Sequence, residues 1–523
     1  MQYMSTKDLK VRRTQNLKDE RYTYLSWYAT LGQNFCTSSM PLKTERFVTQ
    51  ILQQYTLNQV CTDSRLVKPG DLFICIPCAK QTENTTQAIT NGAKAILGQA
   101  EVLANFTNQV KCIESDNPRL FLSLLARSYF KTQPQTLVAV TGTNGKSSTV
   151  SMIRQFWELL GLKAASFGTV GLEITPNSPV ELPPLPPLTT YDSMSFFKIL
   201  QNLAAAQIDH VAFEASSHGL AQYRIHGSEL SVAGFTNLTQ DHLDYHTTME
   251  SYFTAKTKLF SEVLPSGKVA VLNANSPYFE HLKVMIPHCN VISYGIEVSA
   301  DLIATKIRTR RSNITFDLSY QGKNYPDLCL NLTGSFQVEN VLCAMAMIIG
   351  TGESLNTLLA LVPKLKPISG RMELIGSTPN GADVYVDYAH TPDALERALK
   401  SLRLHTQKCI WVIFGCGGDR DSAKRPIMGK IAATLADVVV VTDDNPRSED
   451  PATIRLQIIR GAPNAQEIDN RERAIINTIA HLGKGDTLLI AGKGHELGQT
   501  IGDKTYSFSD IQKAKDALVE LDD

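Results

Sequence analysis

Leu137-Val-Ala-Val-Thr141 is a continuous apolar run, and the glycine-rich segment Thr141-Gly142-Thr143-Asn144-Gly145-Lys146-Ser147-Ser148-Thr149 follows it directly. Beyond lies an amphipathic stretch that includes Ile153 and Phe156. A run with no polar face is what a strand buried inside a parallel sheet requires. The glycines let backbone amides turn inward at the start of a helix, whose N-terminus adds partial positive charge. The segment reads as a phosphate loop, with Lys146 reaching the terminal phosphates and Ser147 able to ligate magnesium. It departs from the usual G-x-x-x-x-G-K-[ST] spacing because Val140 stands where the first glycine belongs. A glycine-rich turn before Lys-Ser also arises by chance; the strand before it and the helix after it favour phosphate binding.

Similar runs recur at Val211–Glu214, Val232–Thr236 and Val269–Asn273, with a helix-like Leu120–Phe130 ahead of them. Strands separated by helical patterns specify a parallel, helix-covered sheet. A second alternation begins at Gly370, with strands at Val384–Val386, Ile410–Phe414, Val438–Val441 and Leu488–Ile490, and reads as a doubly wound unit. Short runs at Asp71–Ile76 and Ala95–Leu97 suggest a small α/β domain near the start, where Thr62-Asp63-Ser64-Arg65 is loop chemistry. The 523 residues suit about three domains. The expectation is therefore an α/β protein of three domains, with a central P-loop-type parallel sheet and a C-terminal Rossmann-like doubly wound domain. Residues 1–44 are polar and aperiodic and are expected to be a poorly ordered extension; the domains would follow at 45–115, 116–367 and 368–523. Pro183, Pro184, Pro186 and Pro187 read as a stiff extended linker.

Composition removes several classes. Hydrophobic residues are 43% and charged residues 20%, as in ordinary globular proteins. Lys plus Arg and Asp plus Glu both total 51, so no global basic field favours nucleic acid or an acidic membrane. No apolar stretch approaches the roughly 18 residues that span a bilayer. The first 24 residues carry six Lys/Arg and three Asp/Glu with no apolar core, unlike a secretory signal. Ten scattered cysteines, several in apolar runs, suit a reducing compartment, and a cytoplasmic address is expected. Cys75 and Cys78 form a C-x-x-C without the second pair or His cluster that a zinc site needs. Gly415-Cys416-Gly417-Gly418-Asp419-Arg420 imitates a dinucleotide fingerprint but lacks its third glycine and later acidic partner, so a nicotinamide site is rejected.

Further motifs follow the phosphate loop in order: Glu214-Ala-Ser-Ser-His-Gly-Leu220, Asn237-Leu-Thr-Gln-Asp-His-Leu-Asp-Tyr-His246, Tyr252-Phe-Thr-Ala-Lys-Thr-Lys-Leu-Phe260, Gly334-Ser-Phe-Gln-Val-Glu-Asn340, Gly370-Arg-Met-Glu373 and Asp387-Tyr-Ala-His-Thr-Pro392. With T-G-T-N-G-K-S, they resemble the Mur ligase and folylpolyglutamate synthase superfamily, which joins amino acids to carboxylates using ATP. The resemblance covers about residue 55 to the C-terminus. Asp444-Asn445-Pro446-Arg447 resembles the motif with which diaminopimelate-adding members recognise that amino acid, whose far carboxylate lysine lacks. An Arg fork pairs bidentately with a carboxylate. An isolated D-N-P-R would instead read as a capping turn.

The resemblance implies that the γ-carboxylate of D-Glu in UDP-N-acetylmuramoyl-L-alanyl-D-glutamate is phosphorylated by ATP. Meso-2,6-diaminopimelate then attacks the acyl phosphate, in cytoplasmic peptidoglycan precursor synthesis. It assigns ATP to Gly142, Thr143, Asn144, Gly145, Lys146, Ser147, Ser148, Asn340, Arg371 and Asp387. The UDP-substrate falls to Ser64 in the first domain and to Thr189, Thr190, Ser216, Gln222 and Arg224. Diaminopimelate falls to Arg420, Asp444, Asn445, Pro446, Arg447, Gly492 and Glu496. Mg2+ would meet Ser147, Glu214, His242 and a Lys256 carbamylated by carbon dioxide; Lys146, Lys256, His242 and His390 are the implied catalytic residues. From sequence alone Lys256 equally suits a solvated helix face. The implied partners are these small molecules, with neither nucleic acid nor membrane insertion, and a monomer is expected. Pro77–Thr82, Tyr191, Asn275-Ser276 and Ser509 depart from the family pattern. An L-lysine-adding homologue, a folylpolyglutamate synthase-like ligase and a P-loop switch or motor are the competing readings.

Overall fold

The computed structural model describes residues 59–522 other than 177, 179, 181–184 and 187. The expected extension at 1–44 and Pro183, Pro184 and Pro187 lie outside the described residues. One compact unit ends at Ser128 and the other runs Tyr129–Asp523. In the first, four parallel strands, Val60–Cys61, Leu72–Ile74, Ala95–Gly98 and Lys111–Glu114, lie side by side in chain order. Phe73, Ile96, Val102, Leu103 and Phe106 fill its core. The helix Pro118–Tyr129 is tied to this unit through Arg119, whose guanidinium donates to Pro77 O at 3.1 Å.

The second unit holds two large sheets with separate cores and a two-stranded hairpin, Gly498–Ile501 with Lys504–Ser507. In the central sheet, Thr136–Thr141 runs parallel between Val232–Phe235 and His210–Glu214, and all three strands are apolar because helices cover both faces. The helix Lys146–Leu159 shows how: Val150, Ile153, Phe156 and Trp157, at the three- and four-residue spacing of one helix face, are buried in the core. The sheet has ten strands, one edge being an antiparallel meander, Leu302–Thr309, Ile314–Tyr320 and Lys323–Leu330, that the sequence did not announce.

The C-terminal sheet is six-stranded, with Asp383–Asp387, Thr487–Ala491, Ile410–Phe414 and Val438–Val441 adjacent and parallel, and Glu373–Ser377 antiparallel at one edge. Its expected strands are present within a residue or two. In open α/β sheets, ligands bind beyond the carboxyl ends of the strands. The phosphate loop, Glu214, Asp387, Asp444 and Gly492 all stand at such ends.

Candidate functional site

The phosphate loop needs its two glycines for different reasons. Gly145, at φ +85°, caps the helix Lys146–Leu159 in the left-handed region, and a Cβ there would lie 2.4 Å from Asn340 Oδ1. A Cβ on Gly142 would lie 1.9 Å from Thr236 Oγ1. Lys146 curls over the loop, donating to Gly142 O at 3.1 Å and Thr143 O at 2.9 Å. Burial pushes its pKa down, aided by Arg371 and opposed by Glu214 and Asp241. Thr143, Asn144, Gly145, Lys146, Ser147 and Ser148 line one cavity with Glu214, Asn340, Arg371, Asp387 and His390.

The last three of the expected nucleotide residues, Asn340, Arg371 and Asp387, come from across the site and are held in place. Asn340 donates to Gln337 Oε1 at 2.9 Å. Asp387 accepts from the amides of Met372 at 2.7 Å and Ala389 at 2.9 Å, fixing the turn that carries Arg371. Arg371 stacks 4.1 Å over Tyr388 and donates to Ser147 Oγ at 2.9 Å. Asn144 Nδ2 donates to Asp393 Oδ2 at 2.8 Å, so the loop and the C-terminal domain meet directly.

Glu214 is 1% exposed and both its oxygens are spoken for. Oε1 accepts from Thr169 N at 2.8 Å and Oε2 from Thr169 Oγ1 at 3.1 Å. Thr169 was not foreseen; its one sequence signal is the preceding Gly168, where a Cβ would lie 2.3 Å from Glu214 Oε1. Ser147 and Glu214 offer hard oxygens to one cavity, a donor set that would suit magnesium. Among the described residues no cluster of three or more His, Cys, Asp or Glu forms a self-contained cage.

His242 sits at φ +54°, a conformation costing about 1–3 kcal/mol in a non-glycine residue, and its amide donates to Asp241 Oδ1 at 3.0 Å. Burial drives its imidazole down to about 3 despite the adjacent Asp241. Asp241 lies 3.4 Å from His242 Nε2, 3.8 Å from His390 Nε2 and 3.8 Å from Lys424 Nζ. Burial pushes the Asp241 carboxyl up, but His390, His242 and Lys424 outweigh it and hold it well below the usual carboxylate range. Lys256 corrects the solvated-helix alternative: it is 1% exposed, and Nζ donates to Gly142 O at 2.6 Å. Burial, with Lys146 adding to it, takes its pKa well below that of ordinary lysine.

A second cavity adjoins the first, and Thr169, Tyr388 and His390 line both. It holds Arg420, Asp444, Asn445, Arg447, Gly492 and Glu496, together with His242 and Thr189. Leu185, Pro186 and Leu188 line it too, so part of the proline-rich stretch faces this cavity. The capping-turn alternative for Asp444–Arg447 fails, because the segment follows the strand Val438–Val441 and pairs with a hairpin. Arg447 N donates to Thr500 O at 3.1 Å. Arg447, at φ +51°, donates from Nη1 to Gly418 O at 2.7 Å. Asn445 Nδ2 donates to Glu496 Oε2 at 3.0 Å, while Lys493, fully buried, bridges Asn445 Oδ1 at 3.0 Å and Glu496 Oε2 at 2.9 Å. Lys493 was missed although it stands in Gly492-Lys-Gly-His-Glu496. Pro446 is outside the cavity lining.

The remaining expected residues form a cluster around Thr190. Its hydroxyl donates to Glu214 O at 2.8 Å and accepts from Ser216 N at 2.8 Å, and Arg224 Nη1 donates to Thr190 O. Arg224 also donates to Gln222 Oε1 at 2.8 Å. Thr189 shares a 3.1 Å hydroxyl contact with Thr169. Ser64, in the other compact unit, is buried and donates to Gln87 Oε1 at 2.7 Å. Cys75 is buried and Cys78 exposed, both as free thiols.

Comparison with known proteins agrees with this arrangement. The Mur ligase middle domain model matches residues 140–348, and the Mur ligase, glutamate ligase domain model matches 370–494. A UDP-N-acetylmuramoyl-L-alanyl-D-glutamate--2,6-diaminopimelate ligase of Chelativorans sp. (strain BNC1) is 43% identical over 90% of this chain and 96% of its own length. A solved structure of a ligase with that name aligns at TM-score 0.60 and 32% identity, covering 89% of this chain and 96% of that one. The fold is shared with a MurF ligase from Thermotoga maritima in complex with ADP, at TM-score 0.56 and 16% identity over 89% of this chain and 98% of that one. The two matched models take in both sides of the site, the phosphate loop in one and Asp387 to Gly494 in the other, and with a 43% identical relative along almost the whole described length, the chain belongs to the Mur ligase family.

Proposed function

We propose that this Mur ligase adds meso-2,6-diaminopimelate to UDP-N-acetylmuramoyl-L-alanyl-D-glutamate with ATP, through an acyl phosphate, in cytoplasmic peptidoglycan precursor synthesis. The observation that carries the reading is the meeting of two cavities at Thr169, Tyr388 and His390, one built for phosphates and the other for a doubly charged amino acid. The names of the 41–44% identical relatives support the substrate pair.

The phosphate loop and Lys146 bind the nucleotide, and Arg371, stacked on Tyr388, brings a cation from the C-terminal domain to the phosphates. Magnesium, held by Ser147 and Glu214 with His242 and Lys256 behind them, would neutralise charge developing on the phosphoryl oxygens. The lowered pKa of Lys256 raises the share of free amine, the form that adds to carbon dioxide, releasing a proton and leaving a carbamate. His390 is fixed by Nδ1 donating to Tyr388 O at 2.9 Å, leaving Nε2 toward Asp241 at the junction. Thr189, Thr190, Ser216, Gln222 and Arg224 would hold the muramoyl dipeptide, with Ser64 on its uridine side, and the domain boundaries expected above would separate the three binding tasks. Packing the C-terminal domain over the loop excludes water from the acyl phosphate.

Amino-acid choice falls to Arg447, with Arg420 beside it, while Glu496 and Asp444 take an ammonium. Lysine would leave the partly buried guanidinium unpaired, at about 2–5 kcal/mol. Phosphate release with ATP, Mg2+ and the UDP-muramoyl dipeptide should therefore favour diaminopimelate over lysine by tens- to thousands-fold in kcat/KM. Equal rates with both amino acids, or release needing neither, would overturn the assignment. Lys256→Ala should abolish turnover, with recovery in formate if carbamate is the working form.

A further inference from the structure

Lys424 opens the helix Lys424–Leu435 in the C-terminal domain, and its side chain is only 7% exposed while lining the second cavity. Among the described residues its ammonium has one charged partner, Asp241, at 3.8 Å, too far for a hydrogen bond, and no hydrogen-bond acceptor. An ammonium carries three donors, and those of Lys424 are left to the cavity rather than to protein acceptors. Such a group suits a ligand that supplies the acceptors. The other Lys and Arg cations in or beside this cavity each have a protein acceptor, Arg420 at Asp419 O, Arg447 at Gly418 O and Lys493 at Asn445 and Glu496.

Location distinguishes which anion Lys424 serves. Asp241 gathers His242, His390 and Lys424 around one carboxylate, and His390 lines both cavities. Lys424 thus stands where the amino-acid cavity opens to the phosphate cavity, outside the Asn445–Lys493–Glu496 network.

We propose that Lys424 is a catalytic residue whose ammonium leaves Asp241 to hydrogen-bond the phosphoryl group as it passes from nucleotide to carboxylate and out as phosphate. This rests on the ligase reading above. In the first step a carboxylate oxygen bonds to the γ-phosphorus while the bond to the β,γ-bridging oxygen breaks and ADP takes the electron pair. In the second, the amine nitrogen bonds to the acyl carbon, loses a proton, and phosphate leaves with the carbon–oxygen electron pair. Lys424 donates to phosphoryl oxygens in both and is unchanged.

The test omits the amino acid. Wild type, Lys424→Met and Lys424→Arg are incubated with ATP, Mg2+ and UDP-muramoyl dipeptide, and the acyl phosphate is trapped with hydroxylamine as the hydroxamate. Trapping should fall about a hundredfold or more in Lys424→Met, the usual cost of one transition-state donor, and recover in part in Lys424→Arg. The Kd for a non-hydrolysable ATP analogue and the melting temperature, which expose a misfolded variant, should stay near wild type, and the diaminopimelate KM should move less than about threefold. Should Lys424→Met fail to fold, Lys424→Gln and Lys424→Arg provide the same reading. Trapping at the wild-type rate overturns the proposal, and a diaminopimelate KM raised about tenfold alongside it would assign Lys424 to the amino acid's carboxylate instead. Absence of any trapped product with wild type would refute the ligase reading itself, and the proposal with it.

Discussion

Gly145→Ala isolates what the phosphate loop contributes. At φ +85° an alanine adopts the left-handed region at a cost of about 1–2 kcal/mol. Its Cβ would also lie 2.4 Å from Asn340 Oδ1, closer than any real contact, so the Asn340 amide must turn and its 2.9 Å bond to Gln337 is lost. A buried hydrogen bond of this kind contributes about 1 kcal/mol, and leaving its partner unsatisfied adds anything up to about the same again. The sum is about 2–4 kcal/mol. An empty loop can escape it by relaxing to another geometry, so the cost reappears when a nucleotide demands the original one. At 1.4 kcal/mol per tenfold, the Kd of a non-hydrolysable ATP analogue should rise from about thirtyfold to several-hundredfold in calorimetric titration. The Kd of diaminopimelate should change little. Analogue affinity within threefold of wild type would refute the claim that this backbone geometry is required for nucleotide binding.

Thr169→Val removes the hydroxyl that donates to Glu214 Oε2 but keeps the amide on Oε1. A charge-assisted bond contributes about 1.5–3 kcal/mol, so the Mg2+ concentration for half-maximal rate should rise about tenfold to a hundredfold, and Thr169→Ser should restore it. Asp510→Ala strands the fully buried Arg471, which Asp510 grips with two 2.7 Å bonds, and should lower stability to urea by about 3–5 kcal/mol. Because Arg471 also donates to Ala491 O, beside Gly492, the diaminopimelate KM should rise in the same variant. The His405 imidazole has no partner for either ring nitrogen among the described residues, and burial, with Arg311 assisting, depresses its pKa against the pull of Asp383. Its depressed value means that the unfolded chain binds the proton first, so stability is full above about pH 6.5 and falls as pH drops below it. The melting temperature should decline from pH 7 to pH 5, and His405→Gln should flatten that decline.

The fold was legible where burial is two-sided. Thr136–Thr141, Val269–Asn273 and Ile410–Phe414 are continuously apolar because helices cover both faces, and each reads directly as a strand. The meander Leu302–Leu330 escaped because its strands are covered on one side only. Leu302 and Ala304 are buried, but Lys306 and Arg308 continue the same strand, and Lys306 serves as ion partner of Asp317. Ala164–Gly168 escaped for the opposite reason. All its residues but Phe167 are small, and Gly168 lies so close to the Glu214 carboxylate that even a Cβ would not fit.

Recognisable motifs delivered the groups that could touch substrate, but not the groups that hold them. Thr169, Asp241, Tyr388 and Lys493 were passed over, although the last three sit inside quoted motifs, because telling partners lie tens to hundreds of residues away: Glu214 for Thr169, His390 and Lys424 for Asp241, Arg371 for Tyr388, Asn445 for Lys493. Spacing along a chain reports local geometry and is blind to such pairs. Charge balance was blind in the same way. Equal totals of 51 acidic and 51 basic residues conceal a junction where Lys146, Lys256 and Arg371 gather, with Lys146 restrained by Glu214 and Asp241 and Lys256 by Asp241. Arg371 donates to Ser147 Oγ at 2.9 Å, so a cation from the C-terminal domain meets the very hydroxyl expected to ligate the metal ion. The same guanidinium is held from behind by the Tyr388 ring and by the turn that Asp387 fixes through the Met372 amide, so a single side chain joins the phosphate loop to the C-terminal sheet.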